Sequence, residues 1–203
     1  MELSKVTMIL RGYNVEQVRT VAEVLLHAKY VRNMEITLNT DNAYEIIRII
    51  SDEFQGKLNI GAGTVQTYDE LKKAVDAGAK FVLSPRQMTE DMLAYCKERG
   101  IVSVPGSFTP SEIGDQFAMG ADIVKIFPAN ELSLKYAKKV CEPMGDLKLM
   151  AVGGINRGNV REALDSGYKY VGTAGGIFPK EQILQMDKEK MLISLKEFEA
   201  ELD

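Results

Sequence analysis

Glycines punctuate the middle of this chain at a nearly constant interval, each closing a helix-like stretch and opening an apolar one. Ala77-Gly78-Ala79, Arg99-Gly100-Ile101, Met119-Gly120-Ala121 and Ser166-Gly167-Tyr168 set them 22, 20 and 47 residues apart, the last interval spanning about two units. A helix that ends on a left-handed C′ residue favours glycine there, because a side chain is crowded at positive φ. Repetition of one strand–helix–stop unit describes a parallel sheet with its helices outside.

Apolar stretches of strand length fall where that repeat needs them: Val6–Leu10, Met34–Leu38, Leu58–Ala62, Phe81–Ser84, Ile101–Val104, Ile123–Ile126, Leu147–Val152 and Tyr170–Gly172. Several are apolar throughout, as a sheet buried on both faces requires. After the first, Val18, Val21, Ala22, Leu25 and Leu26 share one helical face. Asn14 with Gln17, Thr67 with Glu70, and Thr109 with Glu112 have the spacing of capping boxes, and Pro110 sits at a favoured first position. Asp187–Leu202, with Met191, Leu192, Leu195 and Phe198 on one face, reads as the last helix. Eight strands in 203 residues predict a compact (β/α)8 barrel, one α/β domain over residues 1–203. A doubly wound open sheet is the competitor. It would carry a glycine-rich dinucleotide turn after the first strand, where this chain reads Arg11-Gly12-Tyr13-Asn14.

Composition narrows the chemistry. A net charge of −4 with no Lys/Arg block argues against a nucleic-acid partner, and the absence of a long apolar run argues against a membrane span. The opening Met1–Lys5 lacks the basic-then-apolar layout of a leader, and two cysteines suit a reducing compartment, so a cytoplasmic location is expected. One histidine, His27, and two cysteines, Cys96 and Cys141, cannot supply an ordinary four-ligand zinc site. His27 falls on the solvent side of its helix, and both cysteines lack a local basic partner and read as structural. No metal and no cofactor are expected.

In a (β/α)8 barrel the functional residues end the strands at their carboxyl edge. Here those positions carry Arg11; Glu35 with Asn39; Thr64; Ser84 with Arg86; the turn Pro105-Gly106-Ser107; Lys125; Gly153-Gly154 with Asn156; and Thr173 with Gly175-Gly176. Lys125 interrupts an otherwise apolar strand, where desolvation lowers the pKa of an ammonium and a neutral amine can attack a carbonyl. A snorkelling or salt-bridged lysine fits the same spacing. Glu35 is the lone carboxylate inside an apolar strand. It is either the acid/base partner of Lys125 or half of a structural ion pair with Lys125 or Arg11. The glycine pairs after the last two strands suit an anion cradle of exposed N–H groups, and equally suit plain turns.

Glu35-Ile-Thr-Leu38, Ile60-Gly-Ala-Gly-Thr-Val65, Ser84-Pro85, Pro105-Gly106, Val124-Lys-Ile-Phe-Pro-Ala129 and Ala151-Val-Gly-Gly-Ile155, in that order, resemble the 2-keto-3-deoxy-6-phosphogluconate/2-keto-4-hydroxyglutarate aldolases. The resemblance implies a metal-free class I aldolase of the Entner–Doudoroff type on a (β/α)8 barrel, a homotrimer. Its substrate would be a keto acid or phospho-sugar acid, cleaved to pyruvate and glyceraldehyde 3-phosphate (or glyoxylate). Lys125 then matches the Schiff-base lysine and Glu35 the general acid/base. Thr64 seats the pyruvate moiety beside Pro85 and Phe127. Gly153 and Gly154 match a first phosphate loop, and Thr173 with Gly175 a second. Two departures stand out. Asn39 occupies a place where some members carry a carboxylate-binding Arg, for which Arg11 is the candidate replacement. Thr173-Ala-Gly-Gly176 stands where a Gly-Ser loop is usual. Leu10-Arg-Gly12 and Leu38-Asn39 are similar to the branch that cleaves the galactonate epimer, so the epimer stays open. Two further alternatives are a phosphate-binding barrel that uses Lys125 only electrostatically and a non-catalytic phospho-sugar-binding barrel.

Overall fold

A computed structural model describes residues 2–203; Met1, the first residue of the stretch read for a leader, lies outside them. The strands are β1 (Val6–Leu10), β2 (Asn33–Thr37), β3 (Asn59–Gly63), β4 (Phe81–Leu83), β5 (Val102–Val104), β6 (Gly106–Ser107), β7 (Val124–Ile126), β8 (Leu149–Val152) and β9 (Tyr170–Thr173). All pair in parallel, in the order β5-β4-β3-β2-β1-β9-β8-β7-β6.

The two ends of that order are one chain segment, split only at Pro105. β5 pairs with β4 and β6 with β7, so the ring closes as the expected eight-stave barrel. Pro105-Gly106-Ser107 is therefore not a turn but the continuation of the fifth stave. Proline has no N–H and interrupts the ladder, yet its carbonyl still accepts the Lys125 N–H at 2.8 Å.

Helices α1 (Val15–Leu25), α2 (Ala43–Glu53), α3 (Tyr68–Asp76), α4 (Glu90–Arg99), α5 (Pro110–Ala118), α6 (Tyr136–Met144) and α7 (Val160–Asp165) alternate with the staves. The chain ends with the short α8 (Lys180–Leu184) and with α9 (Lys188–Glu199), so the last unit carries two helices rather than one. Asp187 caps α9 through the Lys190 N–H. All three expected capping boxes form, at Asn14, Thr67 and Thr109. The four punctuating glycines have φ of +104°, +64°, +97° and +104°. A β-carbon would strain each of those turns, which is the physical content of the repeat.

Two apolar clusters divide the staves by parity. Val6, Met8, Leu10, Met34, Ile36, Ile60, Ala62, Val82, Val124, Ile126, Ala151 and Val171 face the helices. Ile9, Phe81, Leu83, Val104, Ile123, Met150 and Val152 form a separate cluster that fills the lumen. Side chains of a strand alternate between faces, so Glu35 and Lys125 share the inward parity of these lumen residues. Below them Asn33 donates to Thr7 Oγ1 (3.2 Å) and accepts from Asn59 Nδ2 (2.9 Å), a polar plug at the amino end. Phe81 blocks the middle, where a β-carbon on Gly61 would come within 2.5 Å of its ring. The lumen is thus open for chemistry only at the carboxyl end.

Candidate active site

β2 and β7 are four staves apart in either direction round the ring, so Glu35 and Lys125 face each other across the lumen. Glu35 is level with Ile9 and Gly61 on its neighbours, and Lys125 with Gly106 and Met150. Glu35 is 3% exposed and Lys125 5%. Burial pushes the Glu35 carboxyl up to about 7, against the pull of the Lys125 and Arg11 charges. Burial draws the Lys125 ammonium down to about 8; the Glu35 charge resists and Arg11 adds to the lowering. No ion pair or hydrogen bond joins the two side chains among those of the described residues, and Glu35 Oε2 is buried without a partner. This is not a closed structural salt bridge. It is an acid and an amine, each shifted by burial toward its neutral form.

Phe127, one residue past β7, brings its ring centroid to 5.0 Å from Lys125 Nζ. Thr64, just past β3, is half-buried with φ of +61°, a rare conformation for a β-branched residue and one that concentrates at functional sites. Arg11 follows β1. Its loop is anchored to the next by the Gly12 N–H, which donates to Thr40 Oγ1 at 2.9 Å. Thr40 Oγ1 in turn lies 3.1 Å from the Thr37 hydroxyl.

Arg11, Phe127, Gly153, Gly154, Thr173 and Gly175 line one cavity of about 460 Å³ at the carboxyl end. Among the described residues Arg11 is its only charged lining residue, which suits an anion. Gly153 and Gly154 have φ of +115° and +71°. A β-carbon on either would collide with Asn130, at 2.7 and 2.8 Å. The Gly154 carbonyl accepts from Asn156 Nδ2 and Asn159 Nδ2, both at 3.0 Å. Because the peptide is trans, pinning that carbonyl turns the following Ile155 N–H the opposite way. Thr173 donates its hydroxyl to the Ile155 carbonyl (2.6 Å) and accepts the Gly176 N–H (3.0 Å). Its side chain therefore ties the two glycine loops together at the edge of this cavity. Neither loop runs straight into a helix: α7 begins at Val160 and α8 at Lys180. The expected cradle reduces to loop N–H groups, with Arg11 lining the same cavity.

Pro85 lines an adjoining cavity of about 290 Å³ together with Phe127 and Ser107. Ser107 is 5% exposed, and its hydroxyl has no partner. Asn39 is exposed in the turn after β2 and lines neither cavity. Sequence reasoning passed over Gly63, whose importance lies in what its missing side chain makes room for. It named Asn156 but passed over Asn159, its partner in holding the Gly154 carbonyl and legible as Asx turn chemistry. A larger cavity of about 620 Å³ opens at the amino end, between Ser4, Arg32, Asn59 and Lys80. It is separated from the carboxylate and amine by the lumen plug.

His27 is exposed just beyond α1, and Cys96 is buried, its thiol pushed up to about 12 by desolvation. Among the described residues no group of three or more His, Cys, Asp or Glu could hold a metal ion, and no helix is long and apolar enough to cross a membrane.

The family model for KDPG and KHG aldolases matches residues 1–193. A probable 2-dehydro-3-deoxy-6-phosphogalactonate aldolase of Rhizobium meliloti is 26% identical over 95% of this chain and 90% of its own. A 2-dehydro-3-deoxy-phosphogluconate aldolase of Dickeya dadantii is 36% identical over 66% of this chain and 62% of its own. The crystal structure of KDPG aldolase from Legionella pneumophila, with pyruvate captured as a covalent carbinolamine, superposes with a TM-score of 0.83. It is 28% identical and covers 97% of this chain and 93% of its own. An inward lysine and glutamate in a closed barrel and a family match along nearly the whole chain agree: this protein belongs to the KDPG/KHG aldolase family of lyases.

Proposed function

We propose that this chain is a class I aldolase that cleaves 2-keto-3-deoxy-6-phospho sugar acids through a Schiff base on Lys125. The observation that carries the reading is the desolvated pair, Lys125 and Glu35, facing across the lumen beneath an arginine-lined cavity. A lysine with a pKa of about 8 is neutral in roughly one copy in ten at pH 7, about 300-fold more often than one at 10.5. Neutral Nζ attacks the C2 ketone, and loss of water leaves an iminium. Glu35, as carboxylate and directly or through water, takes the C4 hydroxyl proton. The C3–C4 electron pair moves toward the iminium nitrogen, and glyceraldehyde 3-phosphate departs. The remaining enamine takes its proton back at C3 from the Glu35 acid, and water hydrolyses the imine to release pyruvate and free Lys125.

Arg11 and Thr64 hold the pyruvate carboxylate, Pro85 and Phe127 wall that end, and the loops at Gly153 and Gly175 hold the phosphate. Asn39, exposed on the rim, has no part in this scheme. Arg11 is assigned to the carboxylate because its charge acts on both Lys125 and Glu35. We further propose a homotrimeric assembly, which light scattering on the purified chain would check.

The experiment is reductive trapping. Pyruvate with borohydride should add one reduced pyruvate to the intact protein, mapped to the Lys125 peptide. No adduct would refute the mechanism. A second reading is favoured by the Rhizobium meliloti relative, which matches almost end to end: the preferred substrate is the phosphogalactonate epimer. The kcat/KM ratio for the two epimers decides between them.

A further inference from the structure

We infer that Gly63 is the socket for the Glu35 carboxylate, a positioning residue whose missing side chain is what allows the acid to sit inside the barrel. A β-carbon built on Gly63 would fall 1.5 Å from Glu35 Oε1, 2.2 Å from its Cδ and 2.7 Å from its Cγ. The carboxylate thus occupies the space that any other residue at 63 would need. Glu35 and Gly63 share the inward parity of their adjacent strands: Gly63 is level with Thr37, two residues beyond Glu35.

The backbone at Gly63 cannot retreat. Its carbonyl accepts the Leu38 N–H at 2.8 Å, and two residues on the Val65 N–H donates to the Leu83 carbonyl at 3.1 Å. Between these anchors Thr64 takes its left-handed turn. Gly63 itself has an ordinary extended φ, within β3, so alanine is conformationally acceptable there and the conflict is with the side chain of Glu35. Because the atoms in the way are the far end of a flexible side chain, Gly63→Ala leaves the barrel able to close but swings the carboxylate out of its socket toward water.

The charged groups acting on Glu35 are Lys125 from β7 and Arg11 from the loop after β1, while β3 presents only Gly61, Gly63 and Thr64 beside it. Both charges pull the carboxyl down, so the upward shift is carried by the desolvation that Gly63 permits. Moving the carboxylate into water returns it toward ordinary carboxylate behaviour. It also lengthens its reach to the substrate hydroxyl, and misplacement of about 1 Å costs on the order of 100-fold in rate.

The catalytic consequence rests on the aldolase reading above; the structural one does not. The experiment compares wild type, Gly63→Ala, Glu35→Ala and the double variant. In Gly63→Ala, the borohydride-trapped pyruvate adduct on Lys125 should persist, while kcat for cleavage falls on the order of 100-fold or more. The rate limb near pH 7 should move toward lower pH. Independently of any activity, urea midpoints measured from pH 5 to pH 8 should show the Glu35-dependent loss of stability in wild type and a flattened profile in Gly63→Ala. In the Glu35→Ala background the alanine at 63 should not alter the profile. A Gly63→Ala enzyme that keeps the wild-type pH limb and stability profile overturns the inference. If Gly63→Ala alone does not fold, the double variant decides: folding restored by removing the Glu35 side chain supports the socket, and failure to restore it overturns it. Failure of the adduct in wild type alone would strike the aldolase mechanism and leave the socket standing.

Discussion

Glu35→Gln keeps the shape of the buried side chain and deletes its charge, so it isolates the energetic cost of holding a carboxylate in the lumen. In wild type the carboxyl is raised from 4.5 to about 7, chiefly by burial. A raised pKa means that the folded chain binds the proton more tightly than the unfolded one. The associated stability is fully present below about pH 4.5 and is lost as pH rises through about 7. Between pH 5 and pH 8 that loss amounts to about 2.5 kcal/mol. Lys125 acts in the same direction on the comparison. Its pKa is lowered chiefly by burial, and the Glu35 charge holds it up. Deleting that charge lowers it further, so more of the stability regained as Lys125 deprotonates falls inside the same pH window. The variant should therefore gain on wild type by about 2 kcal/mol or more from pH 5 to pH 8. Urea unfolding with unchanged m-values at each pH measures this. Parallel stability curves for the two proteins would refute the claim that the lumen desolvates the carboxyl. The same variant should still trap pyruvate on Lys125 while losing about 100- to 10,000-fold in cleavage rate.

Lys125→Met should abolish the borohydride adduct and reduce cleavage to background, checked by intact mass and a coupled pyruvate assay. In wild type the rate of imine formation should rise with pH and level off near 8, since burial places the amine there; a rise continuing past pH 10 would mean an ordinary, solvated lysine. Arg11→Ala should raise KM about 10-fold or more for both a phosphorylated substrate and an unphosphorylated 2-keto-4-hydroxy acid. A loss confined to the phosphorylated substrate would place Arg11 at the phosphate instead. Thr173→Val removes a hydroxyl that donates at 2.6 Å and accepts at 3.0 Å. It should cost about 1–3 kcal/mol of stability and raise KM for the phosphorylated substrate with kcat little changed. Preincubation with a chelator should leave activity intact, since the iminium, not a metal, serves as the electron sink.

Local periodicity was enough to determine the barrel. Strand-length apolar runs, capping boxes at Asn14, Thr67 and Thr109, and glycines that need positive φ are each readable within a few residues of chain. They specify a strand–helix unit, and eight such units in parallel close a ring. The oddity of Lys125 and Glu35 was equally local, because a charge inside an apolar strand marks itself. Which charges meet was not local. Glu35 and Lys125 are 90 residues apart in the chain and become partners only when β2 and β7 take opposite sides of the lumen. The role of Thr173 changed for the same reason: a hydroxyl in a loop looks free to bind a ligand until the Ile155 carbonyl of another loop comes within 2.6 Å. Pro105 read as a turn because its missing N–H was visible and its carbonyl's pairing with β7 was not. Gly63 is the clearest case. In the sequence it is one glycine of a Gly-Ala-Gly-Thr run, and only the neighbouring strand brings a carboxylate into the space where its side chain would be. Short-range sterics write the elements into the chain, whereas desolvation and shared space belong to groups that meet only when the ring has closed.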